Sequence, residues 1–246
     1  MIHPIALASR TGGVVIRVGG NSITPRGAEG VDQEALRGVV SLVRNLAGFG
    51  LRVSVVTGGV GGNVFLDWAR SVGCPDALMN EIGCSLIDLG STIMADHLSR
   101  ALEEGACCPR PARSIQDLRT LLDTYRVVVS SAGIAGATTS DSLSLLIGEA
   151  LGNPVLSIKR NLPFRAISRD AGSKQEDHTC YVTVAEVEEE IKRSGITDRA
   201  GWHPSLDAWS LRILRRPSVS LRFTSNSSLT AYSSNGHLSE VMKVTM

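Results

Sequence analysis

Short apolar runs alternate with longer stretches of helical period along most of this chain. Val14-Val15-Ile16-Arg17-Val18 is a β-branched run that stops at Gly19-Gly20-Asn21, the pattern of a buried strand emptying into a loop. From 31 to 48 the apolar positions Leu36, Val39, Val40, Val43, Leu46 and Ala47 fall at helical spacing, and Gly48-Phe49-Gly50 closes them. Residues 51–56 predict a second strand, followed directly by Thr57-Gly58-Gly59-Val60-Gly61-Gly62. Helical spacing resumes through Leu66, Trp68 and Ala69, fades near Gly73, and returns over 81–104 and 114–125. Val127-Val128-Val129 reads as a third buried strand that opens into the Gly-rich stretch 131–139. Residues 140–151 predict a helix and 155–158 a fourth strand.

Beyond that point the pattern changes. Residues 159–180 are polar and irregular, as in a hairpin or lid, before a Glu-rich helix over 183–193 and another over 206–214. The tail predicts two closing strands, 219–223 and 240–246, around a Ser/Asn/Gly turn. Strand, Gly-rich turn and helix recurring in this order predict parallel βαβ units with right-handed crossovers. A chain of 246 residues holds one such α/β domain, and no linker or internal repeat divides it.

Composition narrows the function classes. Formal net charge is +1 and aromatic residues make up 4%, so neither a basic nucleic-acid footprint nor a base-stacking platform is present. No nucleic-acid or membrane partner is expected. Five Cys form neither a CxxC pair nor a Cys/His zinc spacing, which predicts no metal site of that kind and a reducing, cytoplasmic setting. The opening residues 1–8 are too weakly apolar for a signal sequence, and no run reaches the roughly 20 apolar residues of a membrane span. Basic residues are lopsided: 21 Arg against four Lys, with no Lys before Lys159.

Candidate chemistry lies where strands end. Ligands of open parallel sheets gather at the carboxyl ends of the strands. Three Gly-rich loops fall there, at Gly19-Gly20, Gly58–Gly62 and Gly133–Thr139. Glycine lets backbone N–H groups approach a phosphate closely, and a following helix start adds its positive end. Each loop alone also reads as a tight βα turn; three together favour phosphate binding. None is a P-loop or a dinucleotide fingerprint, which sets a dinucleotide-dependent oxidoreductase far behind. Thr138, Thr139 and Asp141 open the helix at 140. They fit either a phosphate and metal-water site or an ordinary helix cap with an acid in the first turn.

The blocks VVIRVGGN (14 to 21), VSVVTGGVGGN (53 to 63), VVVSSAGIAGATTSDSLSLLIGEALG (127 to 152) and HPSLDAWSLRIL (203 to 214) resemble, in that order, the amino acid kinase superfamily, especially uridylate kinases. The resemblance covers nearly the whole chain and implies a three-layer αβα sandwich with a mostly parallel sheet. It implies an acceptor-binding lobe over 1–152, a lobe for Mg-ATP over 153–246, and a homo-oligomer, dimer or hexamer. By resemblance Gly19, Gly20, Gly58 and Gly59 line the phosphate-transfer centre, and Gly136, Thr138 and Thr139 hold the phosphate of the acceptor.

The chain departs from that family at three places. Arg17 stands two residues before the first glycine pair, where the family has Lys. The T-x-V-D-G-V-Y segment and the Asp-Pro that shape the nucleotide site give way to Lys159-Arg160-Asn161-Leu162-Pro163-Phe164-Arg165 and Arg169-Asp170. The acceptor-reading Asp, Arg and Asn are replaced by a stretch offering Asn80, Asp88 and Gly90. The expected activity is transfer of the ATP γ-phosphate to a small phosphorylated or carboxylated acceptor, such as a nucleoside monophosphate, with Mg2+. Arg17 and Lys159 would stabilise charge, while Arg160, Arg165 and Lys174, with Lys159 and Arg169 in one basic cluster, clasp phosphates or serve as a solvated surface or an oligomer contact. Asn80, Gly136, Thr138, Thr139 and Asp141 would face the acceptor. The alternative is a non-catalytic relative that binds or stores a small anion, a molybdate- or tungstate-like oxyanion or a nucleotide, or regulates a partner subunit.

Overall fold

The computed structural model describes residues 12–24, 30–59, 61–134, 139–163, 179–194, 206–235 and 238–245. Seven strands form one sheet: β1 (Gly13–Val18), β2 (Arg52–Thr57), β3 (Val127–Ser130), β4 (Val155–Lys159), β5 (Thr179–Thr183), β6 (Leu221–Ser225) and β7 (Val241–Thr245). Their spatial order is β3-β2-β1-β4-β6-β7-β5. Every described neighbour pair runs parallel except β6 with β7. The central strands read as continuous apolar runs because both of their faces are covered.

Two cores explain the layers. On one face Val14, Ile16, Val18, Val53 and Val55 meet helices α2 (Gln33–Gly48) and α4 (Asp76–Ala101). On the other, Val15, Val56, Val128 and Val155 meet α5 (Ile115–Thr124), α6 (Ser140–Leu151), α7 (Val184–Ser194) and α8 (Ala208–Leu214). A short turn, α1 (Gly20–Ile23), and helix α3 (Gly62–Ser71) follow the first two strands. This is the expected αβα sandwich around a mostly parallel sheet. The two expected lobes share that sheet, and the 152/153 boundary precedes β4, which pairs directly with β1.

Three local expectations are corrected. Helix α4 begins at Asp76, five residues before the apolar period suggested, because Pro75 sets the start of the first turn. Strand β5 lies where an irregular segment and then a helix were expected; the β-prone Thr-Cys-Tyr-Val-Thr run pairs with β7 at the sheet edge. The Ser/Asn/Gly turn between the last strands is instead a helix, α9 (Asn226–Asn235). Its Ser and Asn content favours turns, yet tertiary packing overrides local preference. Leu229 and Tyr232 are buried in the core shared with α2, and Leu229 fills the notch at Gly38, where a Cβ would stand 2.8 Å from its Cγ.

Asn45 of α2 donates a 2.9 Å hydrogen bond to the Tyr232 hydroxyl, and burial pushes that phenol above its ordinary pKa. Removing the hydroxyl leaves the Asn45 amide without this partner. Tyr232→Phe is expected to lower stability by about 1 kcal/mol in urea unfolding. An unchanged midpoint would mean that the Asn45–Tyr232 hydrogen bond adds nothing to the hold of α9.

Candidate functional site

The carboxyl ends of β1 and β4 place two cations side by side. Register sets Arg17 opposite Ser157 on β4 and Val56 on β2, and alternation turns its side chain to the α6 face of the sheet. Arg17 is only 7% exposed. Its Nη2 donates to Ser140 Oγ at 2.9 Å and lies 3.0 Å from Asp141 Oδ2. Lys159, the last residue of β4, donates to both Asp141 oxygens at 2.8 and 3.0 Å, with its ammonium 5.8 Å from the centre of the Phe223 ring. One buried carboxylate is thus shared by two cations.

The helix starts are built into the same cluster. Thr139 caps α6 through a reciprocal box with Ser142, and its hydroxyl donates to Asp207 Oδ2. Asp207 in turn caps α8 by accepting from Ser210 N at 2.6 Å. The amino ends of α6 and α8 therefore meet beside Arg17 and Lys159. Asp141 is fixed in the first turn of α6, so the helix delivers the carboxylate and its own positive end to one place.

Lys159 is the tunable member. Desolvation, helped by Arg17, brings its ammonium down to about 8 from 10.5, against the opposing pull of Asp141 and then Asp207. A lysine whose folded value is lowered costs stability below that value, and the cost is relieved as pH rises towards 10.5. Cys107, which burial raises to about 12, acts in the opposite sense above pH 9. The comparison is therefore wild type against Lys159→Gln between pH 8 and 9. Wild type should gain about 1 kcal/mol relative to the variant over that interval. Parallel stability curves would contradict the burial of a charged Lys159.

Among the described residues the cluster holds buried polar atoms without a hydrogen-bond partner: Ser157 Oγ, Ser210 Oγ and, the only charged one, Arg17 Nη1. Arg17 Nη1 is buried without a hydrogen bond, and a Cβ added to Gly19 would lie 3.1 Å from it. The guanidinium therefore points at the loop on the tip of β1. There the two glycine pairs touch backbone to backbone: a Cβ on Gly20 would stand 2.5 Å from Gly59 O, and one on Gly58 would stand 2.4 Å from Gly20 N. The N–H groups of Gly19 and Gly58 are used, on Ile158 O and Val18 O. The amides of Gly20 and Gly59 make no hydrogen bond among the described residues. Thr24 ties the loops together, donating to Gly20 O and accepting from Gly61 N, both at 3.0 Å.

The remaining candidates are placed less centrally. Asn80 is exposed on α4, and Arg160 is exposed just beyond β4. Asp88 on α4 accepts from Ala132 N at 2.7 Å and anchors the 3-10 turn Ala132–Ile134 after β3. Gly136, Thr138, Arg165 and Lys174 lie outside the described residues. A shallow depression lined by Gly13, Arg52, Arg119, Asp123 and Asn153 sits at the opposite, amino end of the strands. Its arginines are engaged, Arg52 with Asp123 and Arg119 with Ala150 O.

Of the residues singled out in the sequence, the structure brings Arg17, Lys159 and Asp141 into one cluster and the glycine pairs into contact beside it. Thr24, Ser140, Asp207 and Phe223 are given no such role by the sequence pattern. Apart from Thr24 with Gly20, their partners stand far away along the chain, 123 residues in the case of Ser140 with Arg17 and 68 for Asp207 with Thr139. No local pattern signals such pairs.

A buried guanidinium nitrogen beside two amides, all without a hydrogen bond among the described residues, fits the phosphates of a nucleotide. Mg2+ commonly takes one or two carboxylates and completes its shell with phosphates and water. Asp141 and Asp207 are the carboxylates at this cluster. Among the described residues no group of three or more His, Cys, Asp or Glu side chains gathers as a ready-made metal site, and no helix is long and apolar enough to cross a membrane.

No family model matches the chain. In sequence it is 26% identical over 144 residues to the uridylate kinase of Methanoculleus marisnigri, covering 58% of this chain and 57% of that protein. With the uridylate kinase of Methanoregula boonei it shares 23% identity over 208 residues, 85% of this chain and 84% of that protein. The chain thus spans little more than half the length of some curated relatives and most of another. Among solved structures, uridylate kinase from Archaeoglobus fulgidus superposes with a TM-score of 0.62 at 17% identity, covering 93% of this chain and 99% of that one. UMP kinase from Bacillus anthracis gives 0.64 at 14%, over 94% and 96%. Aspartate kinase from Synechocystis gives 0.62 at 16%, over 94% of this chain and 39% of its own. The fold is that of the amino acid kinase superfamily, and the chain is uridylate kinase-like.

Proposed function

We propose, from this uridylate kinase-like character, that the protein is a phosphotransferase moving the γ-phosphate of ATP to a small phosphorylated or carboxylated acceptor, a nucleoside monophosphate such as UMP being the first candidate. The observation that carries the reading is the buried Nη1 of Arg17, aimed at the loop of Gly20 and Gly59; none of these three N–H groups makes a hydrogen bond among the described residues.

Phosphoryl transfer asks for positioning and positive charge rather than covalent chemistry. Asp207 and Asp141 are the carboxylates that would hold Mg2+ here, and the ion would supply positive charge that neutralises the phosphates. Arg17 supplies charge and two N–H directions at the tip of β1, one already engaged by Ser140 and Asp141. Lys159 supplies a second charge from β4. Asp141 holds both cations in register, a positioning role in place of direct contact with the acceptor. Thr139, Thr138 and Gly136 remain the expected acceptor-phosphate contacts, with Asn80 further out along α4, while Arg160, Arg165 and Lys174 are expected on the nucleotide side. A reducing cytoplasmic setting and a homo-oligomer accompany this reading.

The second reading, a non-catalytic binder of a nucleotide or oxyanion, draws on Arg17 replacing the family Lys and on Asp141 taking up both cations. ADP release separates the two. Purified protein with Mg-ATP and a panel of nucleoside monophosphates and small acids should form ADP with one acceptor class, and Arg17→Ala should abolish it. Binding of nucleotide without any ADP would favour the second reading. No interaction with ATP at all would reject the first.

A further inference from the structure

We infer that Ser91 and Asp88 of α4 are positioning residues that set the separation of two loops, the glycine pair after β2 and the turn after β3. The β2–β3 ladder ends where Val56 pairs with Ser130, so no ladder bond joins the chains beyond that point. Thr57 and Ser130 are the last residues of their strands, and both are fully buried, as is Ser91. The Ser91 hydroxyl donates to Ser130 O at 2.9 Å. Its one proton is spent there, so at 3.0 Å it is the Thr57 hydroxyl that donates to Ser91 Oγ. Ser91 thereby bridges one strand end to the other. Asp88, three residues earlier and on the same side of the helix, accepts from Ala132 N at 2.7 Å and holds the turn itself. The helix also backs the glycine pair: a Cβ on Gly59 would stand 3.2 Å from Leu86 Cβ and 3.8 Å from Ile87 N.

Packing alone does not ask for a hydroxyl here. Ser91 interrupts a buried stripe that Met94, Ala95 and Leu98 continue in apolar side chains. A buried hydroxyl costs free energy unless it is bonded, and the bonds of this one reach the two strand ends from which the loops leave. The consequence for catalysis rests on the kinase reading above. Donor phosphates would lie at the first loop and the acceptor phosphate just beyond the second, so the gap between the loops becomes the distance that the phosphoryl group crosses. A misplacement of about 1 Å costs on the order of 100-fold in rate. Both residues act through the loops and not on a reacting group, so their loss should fall on kcat and leave the KM for ATP.

Amide exchange followed by NMR tests the inference on the ligand-free chain. In Ser91→Ala, exchange at Gly58 and at Ala132 should both rise by about tenfold, while Leu98 further along α4 keeps its wild-type rate. Asp88→Ala should raise exchange at Ala132 by a similar factor, and Asp88→Asn, which keeps an acceptor oxygen, should restore it. Should Ser91→Ala not fold, the Asp88 pair decides. Wild-type rates at Ala132 in Asp88→Ala would overturn the inference. So would a folded Ser91→Ala protein in which only one loop loosens, or in which Leu98 loses protection as well. With an acceptor that releases ADP, kcat should fall at least about tenfold in Ser91→Ala and Asp88→Ala, with the KM for ATP within about twofold and Asp88→Asn near wild type. An unchanged kcat would overturn the positioning role. The exchange experiment needs no turnover, so loops that loosen in a protein forming no ADP would reject the kinase reading and leave the bridge through α4 standing.

Discussion

Asp141→Asn is expected to lower stability by about 3–5 kcal/mol at pH 7, roughly 10 °C or more in melting temperature for a chain of this length. The reason is the sharing of one carboxylate. Arg17 and Lys159 both reach Asp141, and all three side chains are mostly buried, at 8%, 16% and 11% exposure. Removing the negative charge leaves two like charges facing each other with little water between them. Lys159 offers an escape, because its proton already leaves near pH 8. Without Asp141 to raise it, that value falls further, so the deficit should be smaller at pH 9 than at pH 6. Urea unfolding at both pH values checks the size and the sign. A deficit that grows with pH would mean that Lys159 is not the group responding.

Gly20→Ala is expected to separate the two glycine loops. Its Cβ would need to occupy space 2.5 Å from Gly59 O, and the opposing atom is backbone, so no side-chain rotation relieves the clash. Overpacking of this kind costs about 1–3 kcal/mol, measurable by thermal unfolding. The larger effect is on transfer: displacing a phosphate-binding loop by about 1 Å costs on the order of 100-fold in rate. With ADP release as the readout, kcat/KM should fall by about that factor. Gly48→Ala is the control, since a Cβ there meets nothing within 4 Å in α2, and it should leave turnover intact.

Much of this arrangement was legible in the chain. The valine runs at 14–18, 53–56 and 127–129 name β1, β2 and β3 because strands covered on both faces need no polar alternation. The glycine pairs after two of them mark the place where the loops touch. The apparent turn at 226–235 misled because its Ser and Asn residues carry local turn preference, whereas Leu229 and Tyr232 commit the segment to a helix only through α2. Strand β5 was hidden for a related reason: an edge strand of five residues is defined by its neighbour β7. Asp141 was legible as a functional candidate but not as a counterion, since Arg17 lies 124 positions earlier and only the β1–β4 pairing brings Lys159 alongside. Ser140 and Asp207 entered the cluster in the same way, through helix starts that meet in space.

The central claim is that phosphate binds at the carboxyl tips of β1, β2 and β4, against Arg17 and the paired glycines. Calorimetric titration with Mg2+ and a non-hydrolysable ATP analogue tests it most directly, comparing wild type with Arg17→Ala and with Arg119→Ala at the opposite end of the sheet. Loss of at least about tenfold in affinity is predicted for Arg17→Ala, with Arg119→Ala binding like wild type. Binding that survives Arg17→Ala unchanged, or that is lost in Arg119→Ala instead, would contradict it.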